Sequence, residues 1–216
     1  MRKEPLVTGY LYHICTKSIA GYTIFRSNKD YSRMLAIMEY YSYESVPMKF
    51  STYLRLGEKN KGCVWEELKS RGTLVDIVAY CIMPTHLHLV LCQLKDGGIS
   101  RYMKNLLNSY TRYFNTKNRR KGPLWQGRFK SILVKTNEQL LHLTRYIHLN
   151  PTTDGLVDHP GRWPYSSYNE YIREEGVTLC SFEKYLEIDP KDYQNFVESR
   201  KDYQRDLAKI KDLLLD

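Results

Sequence analysis

Residues 73–93 read TLVDIVAYCIMPTHLHLVLCQ. Residues 73–82 form a β-branched, apolar run, Pro84-Thr85 reverses the chain tightly, and residues 86–93 return as a second strand. Residues two apart on a strand point the same way, so His86 and His88 project side by side while Leu87, Leu89 and Leu91 turn to the opposite face. The second strand therefore has an apolar back suited to a core and two imidazoles in front. Neutral imidazole is the commonest protein metal ligand, although two hydrogen-bonded histidines in a half-buried strand would give the same spacing.

Working outward, residues 10–18 predict a strand, 28–43 a helix opening near Asp30, and 49–72 a second helical or mixed segment. After the hairpin, Lys95-Asp96-Gly97-Gly98 breaks the chain. Residues 99–115 are helical, with Met103, Leu106, Leu107, Tyr110 and Phe114 at three- and four-residue spacings. A polar loop at 117–122 leads to a strand at 129–135, and Asn137 caps a helix that Pro151 stops. The order β-α-β-β-α-β with one further helix predicts an α+β fold, a ferredoxin-like antiparallel sheet with helices on one face.

The last of these helices carries a second polar pair. Leu140, Leu143 and Ile147 form its apolar stripe, and Tyr146 and Asn150 lie beside that stripe one turn apart, offset by about 40°. A tyrosine at a stripe edge can simply pack, and an asparagine before proline can simply end a helix. With His86 and His88, however, the pair suggests a reaction. A cation held by two imidazoles and an amide oxygen can polarise a phosphodiester while a tyrosine attacks phosphorus.

At 216 residues the chain suits one domain with an appendage. The expected division is a domain at 1–171 and a C-terminal helical extension at 172–216. In that extension Asp189-Pro190 is a good helix start, and an amphipathic helix or two follows over 191–215, packing back on the domain or against a second copy in a homodimer. Cys15, Cys63, Cys81, Cys92 and Cys180 are odd in number and form no C-x-x-C pair, which argues for free thiols in a reducing compartment. No apolar run approaches the roughly 18 residues of a membrane span. The N-terminus, with Arg2, Lys3 and Glu4, has no signal-peptide core. These features predict a cytoplasmic protein with no membrane partner.

The net charge of +9 is concentrated. Between Gly97 and Asn137 there is no Asp or Glu, while Arg101, Lys104, Arg112, Lys117, Arg119, Arg120, Lys121, Arg128, Lys130 and Lys135 are all basic. Tyr102, Tyr110, Tyr113, Phe114, Trp125 and Phe129 are interleaved. Cations that neutralise phosphates and rings that stack unpaired bases are what a single-stranded nucleic acid requires. Arg112, Arg119, Arg120, Lys121, Arg128 and Lys130 are the candidate backbone contacts and Trp125 the candidate stacking platform, unless it closes the core.

Four separated stretches together resemble one family. They are Tyr12-His13-Ile14 with Ile24-Phe25; Met83-Pro84-Thr85-His86-Leu87-His88-Leu89; Gly122-Pro123-Leu124-Trp125-Gln126-Gly127-Arg128-Phe129-Lys130; and Arg145-Tyr146-Ile147-His148-Leu149-Asn150-Pro151, followed by Trp163-Pro164-Tyr165-Ser166-Ser167-Tyr168. Over about residues 10–171 the chain is similar to the single-tyrosine HUH transposases of insertion sequences, and among them to the REP-associated tyrosine transposases. The resemblance implies an enzyme that cuts and rejoins single-stranded, commonly hairpin-forming DNA with Mg2+ or Mn2+ through a covalent 5′-phosphotyrosine. His86 and His88 match the metal ligands, Tyr146 the helical nucleophile, and Asn150 a position often held by a metal-binding glutamine.

The chain departs from the family pattern in three places. Asn150 is one methylene shorter than glutamine, Thr85 replaces the usual asparagine, and Phe129 stands where REP-associated relatives carry a tyrosine in or near the Trp-Gln-x-Arg segment. Tyr110 and Tyr113 are fallback nucleophiles. Two other readings stay open at this point: a non-catalytic protein that binds hairpin DNA or RNA, and a metal-dependent phosphodiesterase that uses water.

Overall fold

The computed structural model describes residues 5–173 and 178–199. In chain order the elements are β1 (Leu11–Lys17), α1 (Asn28–Ser42), α2 (Phe50–Tyr53), α3 (Glu58–Lys69), β2 (Val75–Ile82), β3 (His86–Gln93), α4 (Gly98–Lys117), β4 (Lys130–Val134), α5 (Asn137–Thr153), α6 (Tyr168–Tyr171) and α7 (Pro190–Glu198). The four strands form one antiparallel sheet in the order β2-β3-β1-β4. This is the expected α+β, ferredoxin-like arrangement, with the hairpin of residues 73–93 at one side and β1 threaded between β3 and β4.

Each face of the sheet covers a separate core. Ile14, Leu87, Leu89 and Leu91 point to one side and pack with Met34 and Ile37 of α1 and Met103, Leu106 and Tyr110 of α4. The opposite side presents Ala79, Cys81 and Val90 to Leu140 and Ile147 of α5. Two helices thus lie on one face as predicted, and the additional helix crosses the other.

Helix α5 differs from its predicted limits at both ends. Thr136, not Asn137, is the N-cap, its hydroxyl accepting from the Gln139 amide at 3.0 Å. Pro151 does not stop the helix. Proline removes one donor, but the next turn still closes, with the Asp154 amide donating to the Asn150 carbonyl at 2.9 Å. Asn150 therefore keeps helical geometry and stays over Tyr146.

The chain beyond α5 seals the exposed edge of β2. The Ile82 amide donates to the Tyr165 carbonyl, the Ser167 amide to the Tyr80 carbonyl, and the Ser181 amide to the Ile77 carbonyl. Covering an edge strand in this way removes a template for intermolecular pairing. Phe182, Leu186, Tyr193 and Val197 join the α5-side core, so the described part of the extension packs back on the domain. The remainder of the helix expected over 191–215 lies outside the described residues. Among the described residues all five cysteines are free, and no helix is long and apolar enough to cross a membrane.

Candidate active site

Strand alternation and ladder register assemble the site. In β1 the residues Tyr12, Ile14 and Thr16 are buried, while His13, Cys15 and Lys17 turn to the α5 side. Residues directly opposite in an antiparallel ladder share a face. Cys15 pairs with His88 and with Lys130, Lys17 pairs with His86, and His13 pairs with Val90 and Ile132. His13, Lys17, His86, His88 and Lys130 consequently occupy one face of three adjacent strands.

The histidines lie close together. The His86 and His88 ring centroids are 5.0 Å apart at an interplanar angle of 85°. His13 stacks on His88 with centroids 5.3 Å apart, and its Nε2 is 3.0 Å from His88 Nδ1. His86 Nδ1 lies 2.9 Å from the Thr85 hydroxyl. Burial holds all three imidazoles below their ordinary range, His13 and His86 at about 4 and His88 at about 3, and the Lys17 charge adds to the depression at His86 and His88. At neutral pH each ring is therefore uncharged, with one N–H and one nitrogen lone pair, and the His13–His88 hydrogen bond engages the lone pair of one of those two rings.

Helix α5 brings Tyr146 to this cluster. Its ring meets His88 edge-to-face at a centroid distance of 5.7 Å and His13 at 6.5 Å. The residue is 43% exposed, which leaves it accessible to a substrate from solvent. Partial burial raises its phenol pKa, with Cys15 and Asp154 acting in the same direction and a hydrogen bond from Asn150 acting against them. The Asn150 Nδ2 donates to the Tyr146 carbonyl at 2.9 Å, which leaves the amide oxygen as its donor atom for a cation.

The other tyrosines are not brought here. Tyr110 is fully buried in the α4-side core and donates to the Ile24 carbonyl at 2.7 Å, and Tyr113 donates to Asp30 at 2.9 Å. Both lie across the sheet from the histidines, which separates the fallback nucleophiles from the candidate ligands. Phe129 packs on that same far side.

The basic stretch divides by position. Lys130 is exposed on the histidine face, and Arg119, Lys121 and Arg128 are exposed in the loops around the start of β4. Arg112 lines a cavity of about 770 Å3 between α1 and α4, away from the histidines, together with Arg33, Asn108, Tyr113 and Lys117. Two cations are engaged internally. Lys117 pairs with buried Asp30 at 2.6 Å, and Arg120 donates to Asn115 Oδ1 and the Pro123 carbonyl. Trp125 is only 9% exposed and its indole N–H points at Thr111 Oγ1 and the Leu107 carbonyl, so its ring closes the core instead of offering a platform.

Sequence reasoning missed Lys17 and any role for His13 beside the pair. The signal was present in the alternation of residues 11–17, but only the register of β1 against β3 sets these side chains next to His86 and His88. Among the described residues no group of three or more His, Cys, Asp and Glu side chains is arranged to hold a metal ion. The ladder brings the His86 and His88 imidazoles side by side, and Asn150 lies one turn from Tyr146 on α5.

Comparison with known proteins agrees with this architecture. Residues 62–150, which span β2 to most of α5 and include His86, His88, Tyr146 and Asn150, match the family described as "Transposase IS200 like". A protein of Haemophilus influenzae assigned as a REP-associated tyrosine transposase is 34% identical over 112 residues, a match that covers 46% of this chain and 62% of that protein, just under two thirds of its length. The fold is also similar to a solved structure of a REP-associated tyrosine transposase bound to a REP hairpin, with a TM-score of 0.53 at 14% identity, covering 87% of this chain and 97% of that one. By sequence over residues 62–150 this chain is similar to the IS200-like transposase family, and over most of its length its fold is similar to that of a REP-associated tyrosine transposase.

Proposed function

We propose that this protein is a transposase that cleaves and rejoins single-stranded, hairpin-forming DNA through a covalent 5′-phosphotyrosine at Tyr146. The observation that carries this reading is the meeting of two elements far apart in sequence: the Tyr146 ring of α5 meets the His88 ring of β3 edge-to-face, with Asn150 one turn further along α5. Hairpin DNA as the substrate is supported by the REP hairpin bound to the structural relative.

In the proposed reaction the Tyr146 hydroxyl oxygen attacks the scissile phosphorus. The new bond joins phosphorus to the phenolic oxygen, the bond to the 3′ oxygen breaks, and the phenolic proton is passed on while the leaving strand ends in a 3′-hydroxyl. Attack by a 3′-hydroxyl on the phosphotyrosine reverses these changes and rejoins DNA. Bond energy is conserved in each exchange, so no nucleotide cofactor is needed.

His86, His88 and the Asn150 oxygen would hold a divalent cation, Mg2+ or Mn2+, and their chemistry fits one, because buried neutral imidazoles and an amide oxygen are suitable donors. Such a cation supplies polarisation of the scissile phosphate. Lys17 and Lys130, on the same sheet face, provide fixed positive charge for the DNA backbone, with Arg119, Lys121 and Arg128 extending that surface.

The test is a denaturing gel of protein with labelled single-stranded hairpin DNA and Mn2+. A protein-linked band is expected with wild type and is lost in both Tyr146→Phe and His86→Ala. A band that persists in Tyr146→Phe overturns the nucleophile. Cleaved product without a linked band would indicate water as the attacking group, and tight binding without either would indicate a non-catalytic hairpin-binding protein.

A further inference from the structure

His13 belongs to no motif ligand set, yet it both stacks on His88 and lies within hydrogen-bond distance of it. The β1–β3 register places it diagonally from His88, two pairs along the ladder from Cys15 and His88. Its Nε2 sits 3.0 Å from His88 Nδ1, and the two rings stack at an interplanar angle of 16°. Among the described residues His13 is the hydrogen-bond partner of the His88 ring, with no backbone carbonyl or carboxylate in that position.

A neutral imidazole has one N–H and one lone pair, and a hydrogen bond at one nitrogen fixes which is where. If His13 donated from Nε2, His88 would accept at Nδ1 and carry its proton on Nε2, the nitrogen a cation needs. If His88 donates from Nδ1, its Nε2 lone pair is free, and His13 is then protonated on Nδ1 with Nε2 accepting. Ligand histidines ordinarily donate their second N–H to a fixed acceptor, which orients the ring and raises its basicity. An imidazole at 3.0 Å can be that acceptor.

We propose that His13 is a positioning residue that accepts the His88 Nδ1–H and so holds His88 in the tautomer whose Nε2 binds a divalent cation. This inference rests on the reading of His86 and His88 as cation ligands. It assigns no step of the reaction to His13. The Tyr146 ring, edge-on to both His13 and His88, closes the same stack from the helix side.

The experiment measures Mn2+ binding to the DNA-free protein from the loss of the free-ion electron paramagnetic resonance signal. His13→Phe keeps a flat ring but cannot accept, and it is expected to weaken Mn2+ affinity about 10- to 100-fold. His13→Gln restores an acceptor oxygen and is expected to recover most of that loss, an outcome that ring packing alone would not produce. In the Mg2+-loaded wild type, two-bond 1H–15N spectra should show His88 protonated on Nδ1.

Several results overturn the proposal. His13→Phe binding Mn2+ like wild type while His86→Ala loses it removes the role of His13 and leaves the reading of the site intact. Wild-type Mn2+ binding in both His86→Ala and His13→Phe removes the cation site itself. Weak binding in both His13 variants reduces His13 to packing, and a His88 ring protonated on Nε2 in the Mg2+-loaded protein excludes the tautomer.

Discussion

His148 shows how a polar residue two positions from Tyr146 can serve the fold instead of the chemistry. Its ring is fully buried, with Nε2 2.8 Å from the Ser167 hydroxyl and Nδ1 2.6 Å from the Tyr193 hydroxyl, and burial pushes its pKa down to about 3. An unfolded histidine titrates near 6.5. Between about 6.5 and 3 the unfolded chain binds the extra proton, so stability is full above 6.5 and falls as pH drops. One such group contributes a slope of up to about 1.4 kcal/mol per pH unit. His13, His86 and His88 are depressed in the same direction, so the comparison of slopes isolates His148. Thermal unfolding between pH 7.5 and 5 should show His148→Gln less stable than wild type at pH 7.5 but shallower in its loss toward pH 5. Parallel curves would contradict this account. From sequence alone Tyr146 and His148 were both polar groups on one helix. Only the surrounding side chains distinguish the half-exposed phenol from the sealed imidazole.

At the scale of elements, the docking of α4 onto the sheet depends on a close approach that permits no side chain. A Cβ on Gly98 would fall 2.5 Å from the Leu74 carbonyl oxygen and 3.3 Å from its carbon, both backbone atoms of the residue just before β2. Gln93 completes this junction by accepting from the Ile99 amide and donating to the Leu6 carbonyl. Gly98→Ala should therefore destabilise the protein by about 1–3 kcal/mol, the usual cost of overpacking. That loss lowers the melting temperature by roughly 2–12 °C at this chain length. An unchanged melting temperature would show that the helix start shifts without cost. Element boundaries were largely legible from periodicity, and the errors at α5 have a local cause. Proline removes one hydrogen bond but does not forbid another turn, and a threonine hydroxyl within reach of the Gln139 amide takes the cap.

Across the whole molecule the sheet separates two environments. One face carries an apolar core under α1 and α4, and the other carries the histidines, Tyr146, Lys17 and Lys130. The acid-free stretch between Gly97 and Asn137 does not form one surface, because Lys117 and Arg120 are held internally and Arg112 faces the α1–α4 cavity. A single strand lying on the histidine face would contact Lys17 and Lys130. Each phosphate contact contributes about 0.7 to the log–log slope of affinity against salt for single-stranded nucleic acid. The double variant Lys17→Ala/Lys130→Ala should therefore flatten that slope by about 1.4 and weaken binding to unrelated sequences alike, as read by fluorescence anisotropy across a salt series. An unchanged slope would move the DNA path off this face.

The sequence by itself determined which side of its own strand each residue of 86–93 faces, the β-α-β-β-α-β order, and the pairing of Tyr146 with Asn150 on one helix. These are consequences of periods of two and of 3.6 that operate within a single element. Only the tertiary structure decided that β1 lies between β3 and β4, that α5 crosses the histidine face, and that Trp125 turns inward. Strand partners about 75 residues apart in the ladder are selected by burying both apolar faces at once. That global condition made His13 and Lys17 neighbours of His88 and His86.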